Sequence, residues 1–155
     1  MKRIDTPTPI ARRPRNAHKG QTGRVLAIAG SRSFSGAAIL CLAGAAKGGA
    51  GYVLAAVPCG IGDLVAQAHP GAIIHRLRET QVGQLAHPAW PDLLALEPRA
   101  DGIAMGPGWG LSEGQSHLLA QFLAHTEKPV VLDADALNLL ALGGPDFKLG
   151  AHCIL

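Results

Sequence analysis

Residues 24–30, RVLAIAG, form a short apolar run that ends in glycine. Such a run is typical of a β-strand buried on both faces of a sheet. Residues 35–48 are rich in Ala and Leu and begin with Ser35, which predicts a helix capped by that serine. Residues 51–57 are a second apolar run, which Pro58 ends. The order strand, helix, strand predicts two parallel strands joined by a right-handed crossover.

The same alternation continues towards the end of the chain. The patterns predict further strands at residues 72–77, 101–105, 129–132 and 151–155, and helices at 61–68, 91–96, after Ser112, and at 136–142. Ser112 and Gln115 have the spacing of a capping box, and Asp135 can cap the helix that follows it. This order predicts an α/β fold with a mostly parallel sheet and helices on both faces.

Composition and charge limit the function classes. The 155 residues are 48% apolar and 16% charged, which excludes a disordered or collagen-like chain and fits one compact domain. Seven of the fourteen Lys and Arg residues lie in the first 24 positions, opposed only by Asp5. Residues 1–16 also contain three prolines, and we interpret them as a basic N-terminal arm before a domain at 17–155. Without interleaved aromatic residues, the arm does not indicate nucleic-acid binding, and we expect neither a nucleic-acid nor a membrane partner.

Cysteine and histidine positions predict no metal site and no disulfide framework. Cys41, Cys59 and Cys153 are odd in number and far apart, and the seven histidines lack ligand spacing. No apolar segment follows the basic N-terminus, and residues 36–57 are interrupted by Lys47 and several glycines. We therefore expect a soluble protein in the cytoplasm.

Three predicted strands end in residues that are unusual for a simple connection. These are Gly30-Ser31, Gly106-Pro107-Gly108 and Asp133-Ala134-Asp135. Because ligands of parallel sheets bind beyond the carboxyl ends of the strands, we expect a site there. The glycines either let phosphates or a planar ring lie against backbone N–H groups, or they only form a tight turn. The loop matches neither the dinucleotide fingerprint nor the P-loop.

Two motifs have a structural and a catalytic interpretation. Residues 110–114 match the G-x-S-x-G pattern of serine hydrolases, but a six-residue loop separates Met105 from Ser112, whereas an elbow serine follows its strand directly. We interpret Ser112 as a helix cap. Asp133 and Asp135 can bind a cation or polarise a hydroxyl. The alternative is that Asp135 caps the helix while Asp133 accepts backbone N–H bonds; we favour the cap for Asp135 and a functional role for Asp133.

Six pieces of the sequence, in fixed order, resemble the ADP/ATP-dependent NAD(P)H-hydrate dehydratases. They are HKGQTGRVL at 18–26, AGS at 29–31, SGAA at 35–38, KGGAG at 47–51, GPG at 106–108 and VVLDADALN at 130–138. The likeness covers residues 16–155. It implies a ribokinase-like three-layer sandwich that repairs hydrated NADH or NADPH.

The resemblance also implies a reaction and a set of site residues. A nucleotide, ADP or ATP with Mg²⁺, phosphorylates the added ring hydroxyl, and loss of phosphate restores the dihydronicotinamide, which makes the enzyme a carbon–oxygen lyase. The expected substrate-binding residues are Ala37, Ala38, Gly106, Gly108, Asp133 and Asn138. Trp109 stands where the family usually has leucine.

The sequence also departs from the family. The 155 residues contain neither the Thr-Pro-His-Pro-Gly-Glu motif nor the Gly-Thr-Gly-Asp motif that supplies the anion hole and the catalytic acid/base. The chain thus looks like about the first half of the domain, with no nucleotide site and no catalytic residue of its own. We expect it to be inactive alone and, because a sheet edge is left open, to form a homo-oligomer. The alternatives are a ribokinase-like kinase of a vitamin precursor and a non-catalytic dinucleotide-binding or oligomer-forming remnant.

Overall fold

The computed structural model describes residues 14–143 and 147–155. Most of the predicted N-terminal arm, residues 1–13, lies outside the described residues. The strands are β1 (Arg24–Ile28), β2 (Tyr52–Pro58), β3 (Ile73–Leu77), β4 (Gly102–Met105), β5 (Val130–Leu132) and β6 (Cys153–Ile154). The helices are α1 (Ser35–Gly48), α2 (Gly62–Ala68), α3 (Trp90–Leu96), α4 (Glu113–His125) and α5 (Asp135–Leu142). The predicted alternation of strands and helices is confirmed.

The six strands form one parallel sheet in the order β3-β2-β1-β4-β5-β6. The chain builds outwards from β1 to β3 and then returns to place β4 on the other side of β1. The order of the strands therefore reverses between β1 and β4. In open α/β sheets this reversal leaves a crevice at the carboxyl ends of the two strands.

Alternate residues of β1 face two different helical layers. Ala27 belongs to the apolar cluster beneath α1 and α2, whereas Leu26 and Ile28 belong to the cluster beneath α3, α4 and α5. Small residues on the α1 side allow that helix to approach the sheet closely. The result is the predicted three-layer sandwich with helices on both faces. In the described part of the chain, no helix is both long and apolar enough to cross a membrane.

The predicted helix caps at Ser35 and Ser112 are wrong. Ser35 is already the first residue of α1, and Phe34 takes the position before the helix. The Phe34 N–H donates to Ser31 O in a turn that leads directly into α1. Ser112 does precede α4, yet its side chain forms no cap bond and instead contacts the Gln115 side chain. Gln115 is fully buried, its Nε2 atom donates to Leu85 O over 2.7 Å and its Oε1 atom contacts the Ser112 hydroxyl, so the two side chains do not form a capping box.

Candidate functional site

A cavity of about 420 Å³ lies at the crevice where the strand order reverses. One wall is the first half of α1, and the others are the loops after β4 and β5. Its lining residues are Ala37, Leu40, Cys41, Pro107, Gly108, Asp133 and Ala134. The structure thus brings together three of the sequence-predicted site residues, Ala37, Gly108 and Asp133.

The loop after β4 is attached to the end of β1 by backbone hydrogen bonds. The Gly30 N–H donates to Pro107 O over 2.8 Å, and the Gly106 N–H donates to Ile28 O over 3.2 Å. Gly106 and Gly108 have backbone φ angles of +119° and +68°, which L residues rarely adopt. Glycine is therefore required for the path of this loop.

Protein atoms fill the space beside these glycines. A Cβ on Gly108 would lie 2.7 Å from Ala37 Cβ and 2.8 Å from Phe34 Cβ, and one on Gly106 would lie 2.5 Å from Ala136 Cβ. Of the two interpretations of the glycine loop, close packing against α1 and α5 therefore explains these two glycines. Gly106 is buried, whereas Gly108 still has surface in the cavity.

Asp135 does not cap α5, which corrects the prediction. It is the first residue of the helix, and its carboxylate accepts the Gly110 N–H over 2.8 Å. Asp135 therefore connects the end of the glycine loop to α5. Asn138 is exposed, donates weakly to Asp135 Oδ1 over 3.4 Å and is not among the residues that line the cavity.

Asp133 and Cys41 are the titratable groups in the cavity wall. Burial raises the pKa of the Cys41 thiol, and the negative charge of Asp133 raises it further. The thiol therefore stays protonated at neutral pH and is a poor nucleophile. Asp133 is exposed, and no hydrogen bond of its carboxylate is among the contacts of the described residues. It is free to accept a hydrogen bond from a hydroxyl in the cavity.

Helix α1 contributes residues that the sequence interpretation missed. Leu40 and Cys41 lie three and four positions after Ala37, so helical periodicity was a signal that could have found them. Ala38, in contrast, has no exposed surface, and its Cβ packs beside Gly30. Its side chain therefore holds α1 against the end of β1 and does not line the cavity.

Trp109 is the largest fully buried side chain. It belongs to the apolar cluster beneath α3, α4 and α5, on the other side of the sheet from the cavity. Its ring is therefore not available to a ligand in the cavity.

The cavity beside α1 does not fit the phosphates of a nucleotide with Mg²⁺. No group of three or more His, Cys, Asp or Glu residues in the described chain could hold a metal ion. The Gly110 N–H, a donor that a phosphate would use, already binds Asp135. The cavity contains no cationic side chain.

Comparison with known sequences finds one family. Residues 25–155 match the family model described as NAD(P)H-hydrate dehydratase. The chain is 39% identical over 132 residues to the bifunctional NAD(P)H-hydrate repair enzyme Nnr of Moorella thermoacetica, and 40% identical over 133 residues to that of Gloeobacter violaceus. These matches cover 85% and 86% of this chain. The chain spans about a quarter of the length of either relative, 25% in both cases.

Solved structures support the same fold. The ADP/ATP-dependent NAD(P)H-hydrate dehydratase of Bacillus subtilis, co-crystallised with ATP and Mg²⁺, aligns with a TM-score of 0.67 and 29% identity. The alignment covers 83% of this chain and 43% of that one. A ribokinase-like superfamily protein of Enterococcus faecalis aligns with a TM-score of 0.73 and 24% identity, over 86% of this chain and 44% of that one. The predicted ribokinase-like fold is confirmed.

Proposed function

Because the chain belongs to the NAD(P)H-hydrate dehydratase family, we propose that the cavity beside α1 binds the hydrated nicotinamide ring of NADH hydrate or NADPH hydrate. The observation that carries this proposal is the meeting of Ala37, Gly108 and Asp133 around one cavity of about 420 Å³. These residues come from three separate segments of the chain.

The chemistry of the cavity suits such a ring. Ala37, Leu40 and Pro107 offer an apolar wall, against which the carbon atoms of a dihydropyridine ring can pack. The Asp133 carboxylate can accept a hydrogen bond from the hydroxyl that hydration adds to the ring. An unhydrated ring lacks this hydroxyl, so the carboxylate provides a way to distinguish the damaged coenzyme from the intact one.

At the level of the whole enzyme, we propose the reaction of the family: nucleotide-dependent dehydration of NAD(P)H hydrate by a carbon–oxygen lyase. In this chain the role of Ala37, Gly108 and Asp133 is to bind and orient the substrate. Asp133 is the one carboxylate among the residues that line the cavity, and the Cys41 thiol is a weak acid whose pKa is raised, so the wall holds no second carboxylate and no imidazole to act with Asp133 in proton transfer. Losing a general base commonly costs about 10² to 10⁴ in rate. We therefore propose that the 155-residue chain binds substrate without turning it over.

Two measurements on the purified chain test this proposal. The first is thermal unfolding with NADH hydrate, NADPH hydrate or intact NADH, since a ligand that binds the folded state raises the melting temperature. We expect an increase with the hydrates and a smaller one with NADH. The second is the absorbance of regenerated NADH after addition of ADP or ATP with Mg²⁺, where we expect no turnover. Turnover would overturn the binding-only role, and no stabilisation by either hydrate would overturn the assignment of the cavity.

One alternative shares the binding step. A non-catalytic dinucleotide-binding remnant is favoured by the lack of a cationic side chain, a second carboxylate and an imidazole in the cavity wall. Such a remnant binds intact NADH as well as the hydrates, so equal stabilisation by all three ligands would support it. The same thermal unfolding measurement should include hydroxymethylpyrimidine and thiazole alcohols. A kinase of vitamin precursors would be stabilised by these compounds and not by the hydrates.

A further inference from the structure

A tight hairpin of residues 79–85 follows β3 at the carboxyl edge of the sheet. It is closed by the Thr80 N–H, which donates to Gln84 O over 2.8 Å, and by the Gly83 N–H, which donates to Thr80 O over 2.9 Å. Glu79 and Leu85 pair across its base. The hairpin lies beside the loop that joins β1 to α1, more than 45 residues earlier in the chain.

Glu79 connects two other segments to this hairpin. Its Oε1 atom accepts from Arg32 Nη2 over 2.7 Å, and its Oε2 atom accepts the Gly60 N–H over 2.7 Å. The Glu79 side chain is 14% exposed, whereas the Arg32 side chain is 58% exposed, so the carboxylate is the shielded partner of a half-exposed ion pair. The Gly60 N–H lowers the pKa of Glu79, burial raises it, and the Arg32 guanidinium lowers it further, with a net decrease. The carboxylate is therefore charged at neutral pH and uses both oxygen atoms.

Arg32 makes three connections to the hairpin. Besides the ion pair, its backbone N–H donates to Gly83 O over 2.8 Å, and its Nη1 atom donates to Gln81 O over 3.3 Å. Gly83 has a φ of +76°, and a Cβ at this position would collide with the Arg32 side chain. The hairpin and the β1–α1 loop are thus fitted closely to one another.

The β1–α1 loop in turn sets one wall of the cavity. Two residues after Arg32, Phe34 accepts the Ala37 N–H over 3.1 Å at the start of α1. Phe34 and Ala37 are the residues that lie against Gly108. A chain of direct contacts therefore leads from Glu79 through Arg32 and the loop to the cavity, although neither charged residue lines the cavity itself.

We infer that Glu79 and Arg32 are positioning residues, which hold the β1–α1 loop so that Ala37 and Gly108 keep the shape of the cavity. The identity of the ligand in this inference rests on the function proposed above. Neither residue touches the substrate. Their role is to keep the loop in one conformation before a ligand arrives, and this reduces the ordering that binding would otherwise require.

The test compares Glu79→Gln with Asp101→Asn. The control removes a charge from another ion pair: Asp101 accepts from Arg24 Nη2 over 2.7 Å, but at the opposite, amino-terminal edge of the sheet. Amide hydrogen exchange without ligand is measured first. We expect Glu79→Gln to accelerate exchange at Arg32 and Phe34 about tenfold, the effect of losing one charge-assisted hydrogen bond. Asp101→Asn should accelerate exchange at Arg24 and leave Arg32 and Phe34 unchanged.

Titration with NADH hydrate then follows for the same variants. We expect about tenfold weaker binding by Glu79→Gln and unchanged binding by Asp101→Asn, even where urea unfolding shows similar losses of global stability for both. Arg32→Lys keeps the charge and should recover part of the affinity that Arg32→Met loses. A purely structural role would lower global stability without a local change in exchange at the loop.

The two possible failures are distinct. Unchanged exchange at Arg32 and Phe34 in Glu79→Gln would overturn the positioning role, whatever the ligand does. Equal loss of affinity in both variants would also overturn it. If exchange changes as expected while the unsubstituted chain binds no hydrate, the proposed function fails and the loop coupling stands.

Discussion

Gly108 has a left-handed backbone conformation and also lines the cavity. Its φ is +68°, and a Cβ there would press on Ala37 and Phe34. Gly23 has a similar φ of +79°, yet a Cβ there would meet nothing within 4 Å. Alanine substitutions at the two glycines therefore separate the loss of stability caused by a left-handed backbone from the loss caused by contact with Ala37 and Phe34.

We predict that Gly108→Ala lowers the free energy of unfolding by about 2 to 4 kcal/mol, since it adds overpacking to the left-handed strain. Gly23→Ala should lower it by about 1 to 2 kcal/mol, from the backbone alone. Urea unfolding of both variants checks the difference. Equal losses would mean that Gly108 has no packing role against α1.

Asp101 is a residue whose charge makes stability depend on acid. Hydrogen bonds from the Arg24 side chain lower its pKa from the ordinary 3.8 to about 2. The stabilisation is fully present above the unfolded-state pKa of 3.8 and is lost as the pH falls through about 2. We therefore predict that the unfolding free energies of the unsubstituted chain and Asp101→Asn differ at pH 6 and converge near pH 2.

Asp63→Asn is the matched control for that titration. Asp63 forms an ion pair with Arg76, but its side chain is 85% exposed. Exposed pairs contribute little, so this variant should follow the unsubstituted chain at every pH. If the free energies of unfolding of Asp101→Asn and the unsubstituted chain differ by a constant amount down to pH 2, the stabilising role of the Asp101 charge is contradicted.

At the scale of the elements, helix α5 is connected to the β4–α4 loop through Asp135. We predict that Asp135→Ala lowers the free energy of unfolding by about 1.5 to 3 kcal/mol, because the Gly110 N–H loses its charged acceptor. Asp133→Ala, two residues earlier, should change it by less than about 0.5 kcal/mol, as expected for an exposed side chain. Urea unfolding measures the loss of stability in both variants. A larger loss in Asp133→Ala than in Asp135→Ala would contradict the role of the Asp135–Gly110 hydrogen bond.

The sequence allowed the elements to be predicted, but not the contacts between them. Apolar runs such as residues 24–30 located the strands, since burial on both faces imposes a continuous apolar pattern. Local patterns did not show that Asp135 turns towards Gly110, 25 positions earlier, or that Gln115 reaches Leu85. Ser112 and Asp135 were predicted as caps because capping is a local rule, but the Asp135 carboxylate binds the Gly110 N–H instead and the Ser112 side chain contacts that of Gln115.

The candidate site could be predicted in outline for a similar reason. Parallel strands bring their carboxyl ends to one edge, so Gly108 and Asp133 were expected to meet. The inclusion of Ala37 depended on the resemblance to a family. The Glu79–Arg32 pair gave no signal, since it joins two segments of unrelated pattern 47 residues apart.

At the scale of the whole molecule, one face of the sheet is only partly covered. Val131 on β5 is 44% exposed and Ile154 on β6 is 59% exposed, and among residues 14–143 and 147–155 no strand pairs with the outer side of β6. An edge strand beside exposed apolar residues favours pairing with another chain. This supports the homo-oligomer that the sequence led us to expect.

We predict that the chain elutes as a species larger than its monomer mass of 16.0 kDa in size-exclusion chromatography with light scattering. Val131→Lys should shift it towards the monomer. Leu64→Lys, at a residue 50% exposed on α2, which packs beside β3 at the opposite edge of the sheet, should not. A monomer for the unsubstituted chain, or an equal effect of both substitutions, would contradict association through this face.

The central claim is that the cavity beside α1 binds the hydrated nicotinamide ring, and calorimetric titration with NADH hydrate tests it most directly. The variants are Ala37→Leu and Ala45→Leu, which place the same larger side chain on α1. Ala37 lines the proposed cavity, whereas Ala45 lines a different cavity at the amino-terminal edge of the sheet. The account predicts binding by the unsubstituted chain and by Ala45→Leu, and its loss in Ala37→Leu. Equal binding by both variants, or no binding by the unsubstituted chain, would contradict it.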